Sequence, residues 1–472
     1  MKYLRHRIVF FLLSPVFDLY MRLSYHYQRA PRSASLKRGA KFILANHNCN
    51  LDPFMIAASF NEPIYFVASD HLFRKGWISA IIRFLVAPIP IVKSQIDLRT
   101  LRTIRETLAA DRVVCLFPEG NRSFSGRTGH ISPATGKLVR QLKCPLVLYR
   151  IHGGYLSTPR WASKRRKGRM HGEIARILTA EELAGMRPQD IQTIIEETLY
   201  VDAYEHQRQL EQPVAFRGPA LAEHLERTLF VCPSCHGIDT LHSHDDQFAC
   251  RCGFSVAIDV YGFFHPLRSK ADELAVSDRT FDTVADWDAW QINWLRQSYE
   301  QSSSQQSSSQ TEEMSNKTAT SHTQDSSHLQ ATSRDPGAKP SEPSPGQRSE
   351  KNIDWPLEWL NGSEPIIQDV DQCMTLTSRA SHDQSIGCGS LALFSDRLEF
   401  KPNPPPSSHS GEPGDIRCFP FSQISRMIVH GSQTLQFSLD DQQTFEIHSA
   451  HPRSAYKYTV LFNLLSPQLK KH

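Results

Sequence analysis

Two short stretches hold the residues best suited to chemistry. In "NHNCNLD", residues 46–52, His47 precedes Asp52 by five positions, and in "FPEGNRS", residues 117–123, Glu119, Gly120 and Arg122 lie almost side by side. A carboxylate bonded to one imidazole nitrogen fixes the tautomer and makes the other nitrogen a competent general base near neutral pH. Such a pair activates a hydroxyl, although by spacing alone it is equally a structural hydrogen bond. Gly120 permits a turn with outward-facing amides, and Arg122 offers a planar fork of donors that matches a phosphate. Glu119 either positions Arg122, bonds a hydroxyl of the acceptor, or forms a plain loop ion pair with it. Cys49 lies inside the first stretch and reads as a packed small residue rather than a nucleophile.

These stretches need elements that hold them at one edge. Between residues 40 and 180, apolar runs "KFILAN", "PIYFVAS", "RVVCLFPEG", "PLVLYRIHG" and "HGEIARIL" alternate with "DPFMIAASF", "GWISAIIRFL", "LRTLRTIRETLAA" and "SPATGKLVRQL", which have helical spacing or composition. Strands alternating with helices predict an α/β domain over 31–215, with a mixed sheet covered by helices and with both chemical stretches at strand ends. "TAEELAGM" supplies an N-cap threonine with acidic residues after it, and a polar helix is expected to continue from there through "IQTIIEETLYVDAYEHQRQL".

Farther on, Cys232-x2-Cys235 and Cys250-x-Cys252 form two knuckles that a hairpin can close around one tetrahedral Zn²⁺. Four thiolates leave no open coordination position, so this ion is structural; the nearby His236, His242 and His244 read as surface residues. The module, 225–268, resembles a zinc ribbon. An amphipathic helix is expected over 269–300, and a Ser/Gln/Pro-rich stretch over 301–352 has too little apolar content to fold, which predicts a disordered linker. Short alternating segments and a closing helix over 355–470 predict a β-rich domain of the pleckstrin-homology or GRAM-like shape. With ten cysteines, four of them clustered and six scattered, the pattern reads as metal binding in a reducing compartment rather than a disulfide framework.

Charge is distributed unevenly. Residues 1–172 hold 29 Lys and Arg against 8 Asp and Glu, a net +21, while the remainder carries 24 against 41, a net −17. An anionic partner is therefore expected for the front third. The first 25 residues join basic positions to an apolar run that Pro15 and Asp18 interrupt, short of the ~20 residues a span needs, so residues 1–30 are expected to lie in the membrane interface. The basic run Lys164, Arg165, Arg166, Lys167 and Arg169 is either a grip for anionic lipid or the acidic surface of a protein, or a solvated loop. No nucleic-acid module accompanies it, and nucleic acid is not an expected partner.

Taken together, "NHNCNLD" and "FPEGNRS" resemble the NHxxxxD and FPEGTRS blocks of the glycerolipid acyltransferases, the PlsC-like 1-acylglycerol-3-phosphate acyltransferase family. The resemblance implies transfer of a fatty acyl group from a thioester, acyl-CoA or acyl-carrier protein, to a lysophospholipid hydroxyl, giving phosphatidic acid when the acceptor is 1-acylglycerol 3-phosphate. It implies His47 as the base, Asp52 as its orienting partner, and Glu119, Gly120, Asn121 and Arg122 at the phosphate or glycerol end, with Asn121 where the family usually has threonine. A further block reads "APIPIVKSQID" here, so Lys93 is expected to stand in as a phosphate-binding cation. It also implies a peripheral or monotopic enzyme on the cytoplasmic face of the membrane. Glycerol 3-phosphate or another lysophospholipid as acceptor, and a non-catalytic membrane scaffold, remain the alternatives.

Overall fold

The computed structural model describes residues 2–30, 38–60, 62–69, 87–91, 98–267, 280–319, 357–377, 383–404, 415–440, 443–451 and 453–466. The chain divides into two compact units, one comprising Met1–Ala289, Val429–Thr434 and Pro452–Tyr456, the other Trp290–Ile428, Leu435–His451 and Lys457–His472.

In the first unit, a seven-stranded sheet runs in the order β1-β7-β6-β2-β5-β3-β4. The strands are β1 (Tyr27–Gln28), β2 (Lys41–Ala45), β3 (Ile64–Ser69), β4 (Ile89–Ile91), β5 (Val113–Leu116), β6 (Leu146–His152) and β7 (Met170–Leu178). Each of the five strands expected from the sequence is present, and β1 and β4 are additional short edge pieces. β2 pairs in parallel with both β5 and β6, whereas β7 returns antiparallel along β6, which makes the sheet mixed. The central strands are continuous apolar runs because both faces are covered. Phe42, Leu44, Val114, Leu116, Leu146 and Leu148 share one core with Ile104, Leu138, Val139, Ile191 and Ile195. The alternate residues Ile43, Cys115, Val147 and Tyr149 are also fully buried.

The helices are α1 (Lys2–Tyr25), α2 (Asp52–Ser59), α3 (Leu98–Ala109), α4 (Ala134–Leu142), α5 (Gly154–Ser157), α6 (Ala180–Gly185), α7 (Pro188–Leu199) and α8 (Ala203–Gln209). "GWISAIIRFL" lies outside the described residues. The single polar helix expected after Thr179 is three helices instead. Thr179 and Glu182 form a capping box at α6, Pro188 opens α7, and the Asp202 side chain accepts from the amides of Tyr204 and Glu205 to start α8.

α1 also differs from expectation. Pro15 and Asp18 do not interrupt it, and residues 3–25 are long and apolar enough to cross a membrane by length and composition. Its inner side meets the domain: Tyr3 and His6 contact the Tyr65 ring, Phe17 stacks on Phe54, and Met21 is fully buried. Leu4, Ile8, Phe11, Leu12, Val16, Leu19 and Leu23 form an exposed apolar stripe at helical spacing. Asp18 is paired with Arg22 at 2.8 Å and with Arg29 at 3.3 Å, which is how a carboxylate is tolerated there.

The first unit continues into an antiparallel sheet of order β11-β10-β9-β8, from β8 (Leu241–His244), β9 (Gln247–Cys250), β10 (Ser255–Ile258) and β11 (Phe264–Pro266). Trp287, at the start of α9 (Val284–Ala319), is fully buried among Phe248, Phe254, Phe264 and Phe281, and its indole donates to Val231 O at 2.9 Å. The helix expected over 269–300 therefore begins at Val284 and extends through Ala319 into the segment expected to be disordered. Once nucleated by its packed Trp-rich start, it propagates through Gln, Glu, Lys and Ala, which favour helix. The rest of the expected linker, 320–352, lies outside the described residues.

The second unit is a seven-stranded sheet of order β15-β14-β13-β12-β18-β17-β16. Its strands are β12 (Ile367–Thr377), β13 (Gln384–Leu393), β14 (Arg397–Pro402), β15 (Arg417–Pro420), β16 (Ile424–His430), β17 (Thr434–Leu439) and β18 (Thr444–Ser449). After a helical turn, α10 (Leu357–Leu360), and these strands comes a further helix, α11 (Ala455–Leu465), whose Tyr458 hydroxyl bonds Asp369 and Leu391 O. Cys373 and Cys388 face each other across β12 and β13 and form a disulfide, which corrects the reading of these cysteines as scattered thiols. Direct cross-strand register brings them together, a relation that spacing along the chain does not show.

Candidate active site

The parallel pairing of β2 with β5 places the loops after these strands side by side. The first loop carries His47, and Asp52 opens α2. Asp52 is fully buried, and its Oδ2 lies 2.8 Å from His47 Nδ1 while accepting from the amides of Asn48 at 2.6 Å and Cys49 at 2.9 Å. A buried carboxylate held by two amides and a helix N-terminus is compensated as a charge. It accepts from His47 Nδ1–H, which leaves Nε2 with its lone pair on a side chain 21% exposed. The imidazole stacks on Phe117, ring centroids 4.3 Å apart.

The second loop grips the first at two points. Glu119 Oε1 accepts from the His47 amide at 2.7 Å, and the Ser123 amide donates to His47 O at 2.9 Å. Glu119 Oε2 takes the Gly129 amide at 2.6 Å. Glu119 makes no ion pair with Arg122 among the described residues; each of its oxygens accepts one backbone amide, which ties the two loops together. Burial pushes its carboxyl up to about 8, against the two amides that lower it. Gly120 has φ of 65°, the left-handed region where a side chain is strained, and its amide closes the turn onto Phe117 O. Arg122 has no acceptor for its guanidinium among the described residues, and burial lowers its pKa while Asp52 and Cys49 raise it. Asn121 stands beside it on the same loop. Lys93 lies outside the described residues.

Several residues that position this site were not legible from motif spacing. Asn46 exchanges two hydrogen bonds with Ile151 of β6, 3.0 Å and 2.8 Å, and Asn48 adds a third to the same carbonyl at 3.0 Å. α2 is fastened by a chain of hydroxyls, Ser59 to Tyr149 at 2.6 Å and Tyr149 to Tyr27 at 2.8 Å. An asparagine closing an apolar strand was the available signal. Cys49 is buried, its thiol donates to Asp52 Oδ1, and burial with the adjacent carboxylate pushes it well up, so it stays a thiol.

The basic run does not act as one patch. Arg166 is buried, bonded to Leu221 O and stacked on Trp161; Arg165 covers Tyr25; Lys164 pairs with Glu223 at 3.1 Å. Only Lys167 and Arg169 remain exposed without an ion pair among the described residues.

Cys232, Cys235, Cys250 and Cys252 bring their sulfurs within 4.8 Å of one another, with Cys232 and Cys252 at 3.8 Å and Cys235 and Cys250 at 3.6 Å. Tetrahedral Zn–S bonds of about 2.3 Å put sulfurs about 3.8 Å apart, so the four thiols fit a zinc ion. The knuckles are turns: the His236 amide bonds Cys232 O, and the Gly253 amide bonds Cys250 O with Gly253 at φ of 99°.

Residues 26–151 match the family model described as Acyltransferase. A probable 1-acyl-sn-glycerol-3-phosphate acyltransferase of Mycoplasma pneumoniae is 24% identical over 158 residues, 30% of this chain and 57% of that protein. The chain thus spans little more than half the length of that relative. Among solved structures, the 1-acyl-sn-glycerophosphate (LPA) acyltransferase PlsC of Thermotoga maritima aligns over 42% of this chain and 80% of its own, at 14% identity and a TM-score of 0.34. The C-terminal domain of an unknown protein from Leishmania infantum aligns over 21% and 84%, at 12% identity and a TM-score of 0.14.

Proposed function

For a chain whose residues 26–151 match the acyltransferase family model, we propose transfer of a fatty acyl group from a thioester, acyl-CoA or acyl-carrier protein, to the free hydroxyl of 1-acylglycerol 3-phosphate. The observation that carries this reading is the His47–Asp52 pair at 2.8 Å, on the loop that Glu119 and Ser123 hold against Arg122.

In this mechanism His47 Nε2 takes the proton of the acceptor hydroxyl as its oxygen attacks the thioester carbonyl. Collapse of the tetrahedral intermediate breaks the C–S bond, and the thiolate leaves with the proton returned by the His47 imidazolium. An ester and a free thiol result, with no acyl-enzyme. Asp52 keeps the imidazole in the reactive tautomer and stabilises its charged form. Arg122, a cation without an acceptor among the described residues, binds the phosphate of the lysophospholipid, and the outward-facing Gly120–Asn121 turn lies beside it. Lys93 is proposed as a second phosphate contact.

Two further parts support a membrane enzyme. The apolar stripe of α1 faces away from its own domain, and we assign it to the lipid interface, where it seats the domain as a monotopic protein on the cytoplasmic side. The cysteine set is assigned a structural zinc ion, whose four thiolates would fasten two loops and contribute no open coordination site. The strand order of the second unit, with a helix after the last strand, supports a pleckstrin-homology-like domain that binds lipid or protein.

The test is release of free thiol from acyl-CoA and from acyl-carrier protein by the full chain with a panel of acceptors in vesicles. Turnover is expected with 1-acylglycerol 3-phosphate and is expected to be lost in His47→Ala; equal turnover in both overturns the assignment of the base. A preference for glycerol 3-phosphate or another lysophospholipid renames the acceptor, and no turnover with any acceptor favours a scaffold.

A further inference from the structure

A second group of reactive side chains lies in the first unit, apart from the cysteine set and from His47. His152 ends β6, His171 begins β7 and His206 lies on α8; one ring nitrogen from each falls within 4.8 Å of the others. The His152 ring stacks on both partners, its centroid 4.6 Å from that of His171 and 4.3 Å from that of His206. Three separate elements converge on one point.

The two nitrogens of His152 have different environments. Nε2 lies 3.1 Å from Glu173 Oε1, while Nδ1 is buried with no hydrogen-bond partner among the described residues, on a residue only 8% exposed. A carboxylate accepts from Nε2–H and so leaves the lone pair on Nδ1. Burying an unsatisfied polar atom costs about 1–3 kcal/mol, and that cost needs a compensating partner. A histidine oriented by a carboxylate through one nitrogen, with the other offered inward, is the arrangement that metal-bound histidines show.

We propose that His152, His171 and His206 form a binding site for a divalent transition-metal ion of the zinc class. Imidazole nitrogens suit zinc, cobalt, nickel and copper, whereas magnesium and calcium require oxygen ligands. Bonds of about 2.0–2.1 Å in a tetrahedral site place nitrogens about 3.3 Å apart with each lone pair aimed at the ion, so binding requires the three rings to turn out of the stacked arrangement they have here. A cavity of about 270 Å³ borders the site, lined by His171, His206, Gln28, Arg169 and Gln207 among others, and has room for a solvent ligand. Arg150 and Arg169 are the nearby cations, and Glu173 pairs with Arg150 at 2.7 Å. The ion fastens α8 to β6 and β7. It does so one residue from Ile151, whose carbonyl anchors Asn46 and Asn48 of the His47 loop. The inference stands on this geometry and is independent of the acyl-transfer reading.

The test counts zinc per chain by mass spectrometry on full-length protein, freed of any polyhistidine tag and dialysed against buffered zinc. Two equivalents are expected for the wild type and one for His206→Gln and for His171→Asn, with circular dichroism confirming that the variants are folded. Two variants at half-exposed positions keep the test decisive if one misfolds. Cobalt substitution distinguishes the sites: the cysteine set gives sulfur-to-metal charge transfer, while the second equivalent adds visible d–d bands without it, and those bands are expected to vanish in both variants. One equivalent in the wild type, two in both variants, or d–d bands unchanged by the substitutions would overturn the proposal.

Discussion

Two histidines on neighbouring parallel strands each lean on a carboxylate, and they are prepared for different tasks. His47 follows β2 and gives its Nδ1 to Asp52; His152 ends β6 and gives its Nε2 to Glu173. Asp52 is fully buried and held by two amides, while Glu173 is half-buried and shared with Arg150. What separates them most is what the second nitrogen meets. In His47 it belongs to a partly exposed ring, whereas in His152 it is buried without a hydrogen-bond partner among the described residues, in a residue whose ring stacks on two further imidazoles. A histidine–carboxylate pair therefore says little by itself; the two proposals, proton transfer at His47 and metal binding at His152, rest on the surroundings of the opposite nitrogen.

The sharpest way to break this comparison is to change the two carboxylates in parallel. Asp52→Asn is expected to lower turnover about 10²- to 10⁴-fold, the range associated with a positioned base, and His47→Ala added to it is expected to cost little more because the pair acts as a unit. Glu173→Gln is expected to weaken the second zinc equivalent about 10- to 100-fold, measured by competition with a chelating dye. If Glu173→Gln instead reproduced the turnover loss of Asp52→Asn while zinc affinity stayed unchanged, the division of labour would be reversed. Arg122→Ala removes a charge-assisted contact worth about 1.5–3 kcal/mol, so the acceptor KM is expected to rise roughly 10- to 100-fold, with a smaller change in kcat.

The smallest effect concerns Glu119, which lies on the catalytic side of the comparison. Its folded-state value of about 8 exceeds the ordinary carboxyl value, so the folded protein binds the extra proton between pH 4.5 and 8 and loses stability as pH rises through that window. Replacing it with Gln removes this ionisation. The melting temperature of the wild type is expected to fall relative to Glu119→Gln by a few degrees from pH 5 to pH 8 in differential scanning calorimetry. A gap that is flat with pH would show that the two amide bonds outweigh burial.

Much of the scaffold was legible because the central strands, such as "KFILAN" and "PLVLYRIHG", are uninterrupted apolar runs bounded by polar turns. His47, Asp52 and Arg122 were legible because both loops begin where such runs stop. What spacing did not reveal depends on partners far apart in the chain. The Asn46–Ile151 bonds span 105 residues, and the histidine trio is assembled by the antiparallel return of β7 and the arrival of α8. Glu119 was read as a partner for Arg122 or for substrate, whereas its backbone neighbours claim both oxygens. Cys373 and Cys388 became partners only through strand register. The helix at 284–319 exceeded its expected end because Ser and Gln, poor at building a core, are still able to continue a helix already begun.

The peptide group of His47 is held at both ends by the neighbouring loop, its amide by Glu119 and its carbonyl by Ser123. His47 and Arg122 thus share one frame, and on the proposed reading the gap between base and phosphate site would work as a ruler. In a glycerol phosphate, the reach from phosphate to hydroxyl is set by a few covalent bonds. A molecule with an added spacer would satisfy one end only, so discrimination among acceptors becomes a matter of length as well as charge.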